Sequence, residues 1–147
     1  MKISLEQAEN SELEVIIKGD IQSEEALALV SVLGNASAFG KILLQGEDES
    51  ILCNPKDIIF FESSAGKTYA STQNGTYEVK EKLYELSDSL KNKGFIQINK
   101  STVVNINFVQ SISAEFSGNY IAKLKNSGDT LVISRKYFNS FKEFVRR

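Results

Sequence analysis

Two short clusters carry side chains suited to holding a phosphate or reading a base: Lys100-Ser101 and Arg135-Lys136. Ammonium and hydroxyl groups donate to phosphate oxygens, and a guanidinium can bond the O6/N7 edge of guanine through two parallel hydrogen bonds. Arg135 is the strongest of these residues. It follows the apolar run Leu131-Val-Ile and opens a helical pattern, so a rigid base projects its long side chain. The helix start beside it would present backbone N–H groups to a phosphate. As a surface ion-pair partner, the bland alternative, it would contribute little. Lys100-Ser101 breaks a strong alternation and reads as an exposed turn holding a cation and a small hydroxyl donor. Gly66-Lys67-Thr68 has the ending of a phosphate-binding loop, but that motif needs a glycine five residues earlier, where Phe61 stands. Nucleotide binding is therefore rejected there.

The elements that must position these clusters are mostly strands. Ile96 and Ile98 alternate with Gln97 and Asn99, and Val104, Ile106 and Phe108 alternate with Asn105 and Asn107, the period of half-buried strands. Upstream, KILLQ and ILCN flank a GEDES turn, Pro55 ends the second or places it on an edge, and Ile58 to Phe61 suits a core strand. SSAGK reads as a loop, and Asn74-Gly75 as a type I′ hairpin tip. Leu83, Leu86 and Leu90 place a surface helix at 80–91, closed by Gly94. SISAEF and NYIAKL form a further hairpin, and Asn126 to Asp129 turns the chain into LVIS. Ser134 then caps a last helix with Phe138, Phe141 and Val145 on its apolar face. Asn105 is expected to satisfy turn backbone groups, and Cys53 to act as a small hydrophobe. The class is mainly β (α+β), with short strands and three short helices.

Ahead of this body, Leu13 to Ile17 predicts a short strand and residues 24–33 an amphipathic helix capped by Ser23 and ended by Gly34. Residues 35–40 form the joint. This gives a small acidic β–α segment at 1–40 and a main domain at 41–147. The first holds two lysines against seven carboxylates, a net charge of −5, while the second carries a net of +3. The Ala26/Leu29/Leu33 face needs a covering surface, in the domain or in a partner.

With no histidine and one cysteine, the chain lacks Ser-His-Asp and Cys-His catalysis, His-containing metal sites, multi-thiolate centres and an internal disulfide. No enzyme activity, cofactor, metal or small-molecule substrate is expected. The N-terminus lacks a secretory signal and no apolar run approaches a membrane span, which points to a cytoplasmic protein.

The order F-x-x-I-x-K-S-x-x-V-N, followed about two dozen residues later by a strand ending in S-R-x-Y, resembles the LytTR family of bacterial DNA-binding domains. The matching residues are Phe95, Ile98, Lys100, Ser101, Val104, Asn105, Ser134, Arg135 and Tyr137, joined upstream by Asp57 to Glu62. The resemblance as a whole covers roughly Lys41 to Val145. A common family pattern has His-Arg-Ser at Asn99-Lys100-Ser101, so the cation is kept but not the guanidinium fork. The resemblance implies a fold of short antiparallel β-sheets and a bacterial transcription regulator that contacts duplex DNA through its loops. Lys67, Thr68, Asn99, Lys100, Ser101, Arg135 and Lys136 would be the contacts, and two protomers would occupy paired direct repeats as a dimer. It also implies a short, stand-alone regulator, since about 40 residues are too few for a receiver domain. A small membrane protein would restrain it, docking on the acidic head. The competing class is a β-rich protein-interaction module without DNA binding, which salt dependence of binding to random duplex would separate.

Overall fold

Alternating apolar residues and tight turns favour antiparallel pairing, and every strand pair formed here is antiparallel. In the computed structural model, which describes residues 1–9, 13–33 and 40–146, the elements follow in order. They are α1 (Glu24–Leu33), β1 (Ile42–Gln45), β2 (Ser50–Cys53), β3 (Ile58–Ser64), β4 (Lys67–Thr72), β5 (Gly75–Val79), α2 (Leu83–Ser89), β6 (Phe95–Asn99), β7 (Thr102–Asn105), β8 (Val109–Ala114), β9 (Tyr120–Leu124), β10 (Thr130–Ile133) and α3 (Arg135–Val145). One sheet runs β2-β1-β5-β4-β3-β7-β6 and a second β10-β9-β8.

Two cores result. Ile42, Leu44, Ile58, Phe61, Phe95 and Val103 pack with the α2 leucines Leu83 and Leu86. Ile98 and Val104, from β6 and β7, pack with Ala122, Leu124, Ile133 and Phe141 from the small sheet and α3. Neighbouring residues of a strand point to opposite faces, so Val103 serves one core and Val104 the other, and β7 is buried along its whole length. It stops at Asn105, earlier than the alternation through Phe108 suggests, because residues 106–108 form a 3₁₀ turn. Asn105 is fully buried; its Nδ2 donates to the Ile58 carbonyl at 3.0 Å and its Oδ1 accepts from the Asn107 N–H at 3.1 Å. These bonds satisfy turn backbone groups that would otherwise be stranded.

Several local expectations change. The helix expected at 80–91 is limited to α2: Lys82 is extended and its N–H donates to Glu85 Oε1 at 3.0 Å, while a 3₁₀ turn and Gly94, at φ 91°, end the segment. SSAGK is no open loop. Phe61 pairs with Ala70 and Ser64 with Lys67, leaving only Ala65 and Gly66 to turn. Both have positive φ, 52° and 78°, as a type I′ turn demands. At the next hairpin Asn74 has no positive φ, so that turn is not type I′. There Thr72 Oγ1 accepts from the Asn74 N–H and donates to the Gly75 carbonyl.

In the N-terminal segment, Ser23 caps α1 as expected, its Oγ accepting the Ala26 N–H at 3.1 Å. The strand expected at Leu13–Ile17 is absent; alternation without a partner strand leaves Leu13, Val15 and Ile16 exposed. Ala26 is buried and Leu29, Val30 and Leu33 are half-buried, whereas Leu27 and Val32 face solvent. Gly34 and nearly all of the expected joint lie outside the described residues. Among the described residues, no helix is long and apolar enough to cross a membrane.

Candidate nucleic-acid interface

Antiparallel registers bring the cation-bearing turns to one end of the molecule. Glu62 near the end of β3 pairs with Thr102 at the start of β7, and Asn99 at the end of β6 pairs with the same Thr102. The β3–β4 turn, the β6–β7 turn and the β10–α3 junction therefore share this end, which bonds between them hold together. The Ser63 N–H donates to the Ser101 carbonyl at 2.9 Å, joining the first two turns. Asn99 Nδ2 donates to the Val132 carbonyl at 2.8 Å and the Ser134 N–H to the Ile98 carbonyl at 2.8 Å, joining the second to the third.

The expected contact residues divide by what their polar atoms already do. Lys100, Arg135 and Lys136 are exposed. Lys67 is exposed too and lies 3.3 Å from Glu78 Oε1; at this exposure the pair contributes little and can open toward another anion. Thr68 is different: it is 8% exposed within β4, so it packs the sheet and is withdrawn as a contact. Asn99 is half-buried, and its Oδ1 accepts both the backbone N–H and the hydroxyl of Ser101, at 2.8 and 3.1 Å. Its amide thus shapes the turn that presents Lys100. The Ser101 hydroxyl, expected to donate to phosphate, already donates to Asn99.

The α3 start also departs from expectation. Ser134 occupies the N-cap position but makes no side-chain capping bond. Asn119, from the β8–β9 turn, takes that role, its Oδ1 accepting the Arg135 N–H at 3.0 Å, while the Tyr137 N–H donates to the Ser134 carbonyl. Those two N–H groups are therefore engaged within the fold and are not open to a phosphate. Asn119 was missed because its partner lies sixteen residues away and no local pattern marks it. The Arg135 side chain lies across Gly118: a Cβ built there would stand 3.3 Å from Nη1.

Further along α3, Phe138 stacks on Tyr120 with centroids 3.5 Å apart, and Phe141 is buried, fixing the helix on the second core. Burial above all, then the charge of Asp57, raises the Cys53 thiol, against a smaller opposing effect of Lys41. Among the described residues no cluster of His, Cys, Asp or Glu could hold a metal ion.

The sheet arrangement and its turn-built end define a small β-rich domain that presents several cations on adjoining turns. Residues 48–146 match the LytTr DNA-binding domain, and the chain belongs to that family. It is 28% identical over 106 residues to the sensory transduction protein LytT of Bacillus cereus, covering 72% of this chain and 43% of that protein. It is 30% identical over 90 residues to the sensory transduction protein LytR of Streptococcus mutans, covering 61% and 36%. The chain thus spans less than half the length of these curated relatives. A solved LytTr DNA-binding domain from Bacillus cereus superposes with a TM-score of 0.67 at 23% identity, over 71% of this chain and 95% of that one. This likeness extends to the fold.

Proposed function

We propose that this protein regulates transcription by gripping duplex DNA with the end that carries Lys67, Lys100, Arg135 and Lys136, two protomers occupying paired direct repeats. The observation that carries the reading is the bonding of three separate turns into one rigid, cation-bearing end. Pre-ordered turns lose little entropy on docking, and their cations supply phosphate contacts while Arg135 reads bases. Asn99 and Ser101 act as positioning residues.

The test is a titration of random and genomic duplex at several salt concentrations. Each neutralised phosphate lowers the log–log slope by about 0.9, so three or four contacts per protomer should give roughly −3 to −4. A slope near zero would leave the protein-interaction module as the better reading. Direct repeats should bind two protomers, and a single repeat one.

We further infer that residues 1–40 form an attachment that receives a small membrane-protein regulator. Support comes from the acidic charge of this segment and from Leu27 and Val32, which α1 leaves exposed. Leu27→Asp with Val32→Asp should leave folding and DNA affinity within about twofold of the wild type, because solvated substitutions change stability by only a few tenths of a kcal/mol. Binding to vesicles carrying the regulator should be lost; undiminished capture would refute the assignment.

A further inference from the structure

Phe116 is the most exposed large apolar side chain in the described structure, at 113% of its reference area. A single exposed apolar residue is ordinary on a protein surface, so exposure decides nothing until its setting is considered. That setting is the tip of the β8–β9 turn, which is internally braced: the Glu115 N–H donates to the Asn119 carbonyl at 2.9 Å and the Gly118 N–H to the Glu115 carbonyl at 3.1 Å. The same turn caps α3 through Asn119 and supports the Arg135 side chain over Gly118. The aromatic ring and the proposed base-reading guanidinium are therefore mounted on one rigid piece. Glu115 beside the ring repels phosphates, so the tip suits the base stack better than the DNA backbone.

We propose that Phe116 is a wedge that enters the base stack next to the position read by Arg135, opens one base step and bends the duplex. The inference rests on the DNA-binding reading above. Apolar wedges that part base steps bend DNA and so bring more of it against the protein. The easiest steps to open are pyrimidine–purine steps, which gives this residue a voice in sequence choice without any hydrogen bond.

The chain has no tryptophan, so Phe116→Trp places a sole indole at the tip. The probe is a short duplex taken from genomic fragments that the wild type retains, with anisotropy of a dye on the DNA reporting binding independently. On binding, indole emission should be quenched and shielded from acrylamide. Phe116→Ala should keep the wild-type circular dichroism, weaken binding roughly five- to 150-fold, as loss of base–aromatic stacking does, and reduce the bend read by energy transfer between end labels. Binding with unchanged indole emission, or an alanine variant that binds and bends like the wild type, overturns the wedge and leaves the DNA reading standing. If the wild type shows no salt-dependent binding to any duplex, both readings fall, and the anisotropy channel shows this without reference to the indole.

Discussion

An Arg135→Ala variant should still hold DNA but lose most of its power to tell one sequence from another. A guanidinium reads guanine with two directed bonds, and losing such a pair costs about 1–3 kcal/mol of discrimination, roughly five- to 150-fold. The side chain is exposed, and the bond fixing this junction comes from the Arg135 backbone N–H, so the variant should fold normally. Lys100→Ala is the contrast. An ammonium acts largely as a point charge, so its removal should weaken specific and random duplex alike and reduce the salt slope by about one. Titrating both variants against a retained genomic fragment and random DNA separates them. Equal losses by Arg135→Ala on the two duplexes would show that Arg135 only contacts phosphate.

The largest loss of stability should follow Phe141→Ala. Phe141 is 1% exposed and sits among Ile98, Val104 and Ile133, so truncation leaves a cavity where α3 meets both sheets. Burying a phenyl ring and then deleting it costs about 3–5 kcal/mol, a large share of the roughly 5–15 kcal/mol that holds a domain together. Phe141→Leu keeps most of the volume and should cost much less. Urea unfolding of both variants measures this. A loss below about 1 kcal/mol for alanine would mean that α3 does not depend on this anchor. Because α3 begins at Arg135, the folded fraction should also discriminate less well between duplexes.

Much of this architecture was legible along the chain because its signals are local. The alternation in FIQIN marked β6, Pro55 ended a strand, Ser23 capped α1, and the Ser-Arg junction fell at the start of α3. What escaped was set by distant partners. Leu13 to Ile17 has a strand's pattern, but a strand also needs an edge to pair with, and these residues pair with none. Asn74-Gly75 has the composition of a type I′ turn, yet the geometry falls on Ala65-Gly66, where the Phe61–Ala70 pairing leaves two residues to reverse the chain. Thr68 looked like a contact because Gly66-Lys67-Thr68 looked like a loop; once Lys67 begins a strand, its neighbour must face inward. The resemblance of Lys100 and Arg135 to family contacts likewise could not reveal that Asn99 and Asn119 hold their turns in place.

The division between side chains that lash the turns and side chains that face outward has an evolutionary consequence. Asn99 and Asn119 hold the framework through carbonyl and N–H partners common to nearly every residue type. The outward side chains of Lys100, Arg135 and Lys136 carry none of these lashings. On the proposed DNA-binding reading, a duplicated gene could exchange one or two of these codons and acquire a different operator while inheriting an intact scaffold. Drift in recognition would leave little trace in stability, and paralogues would diverge first at their turn tips.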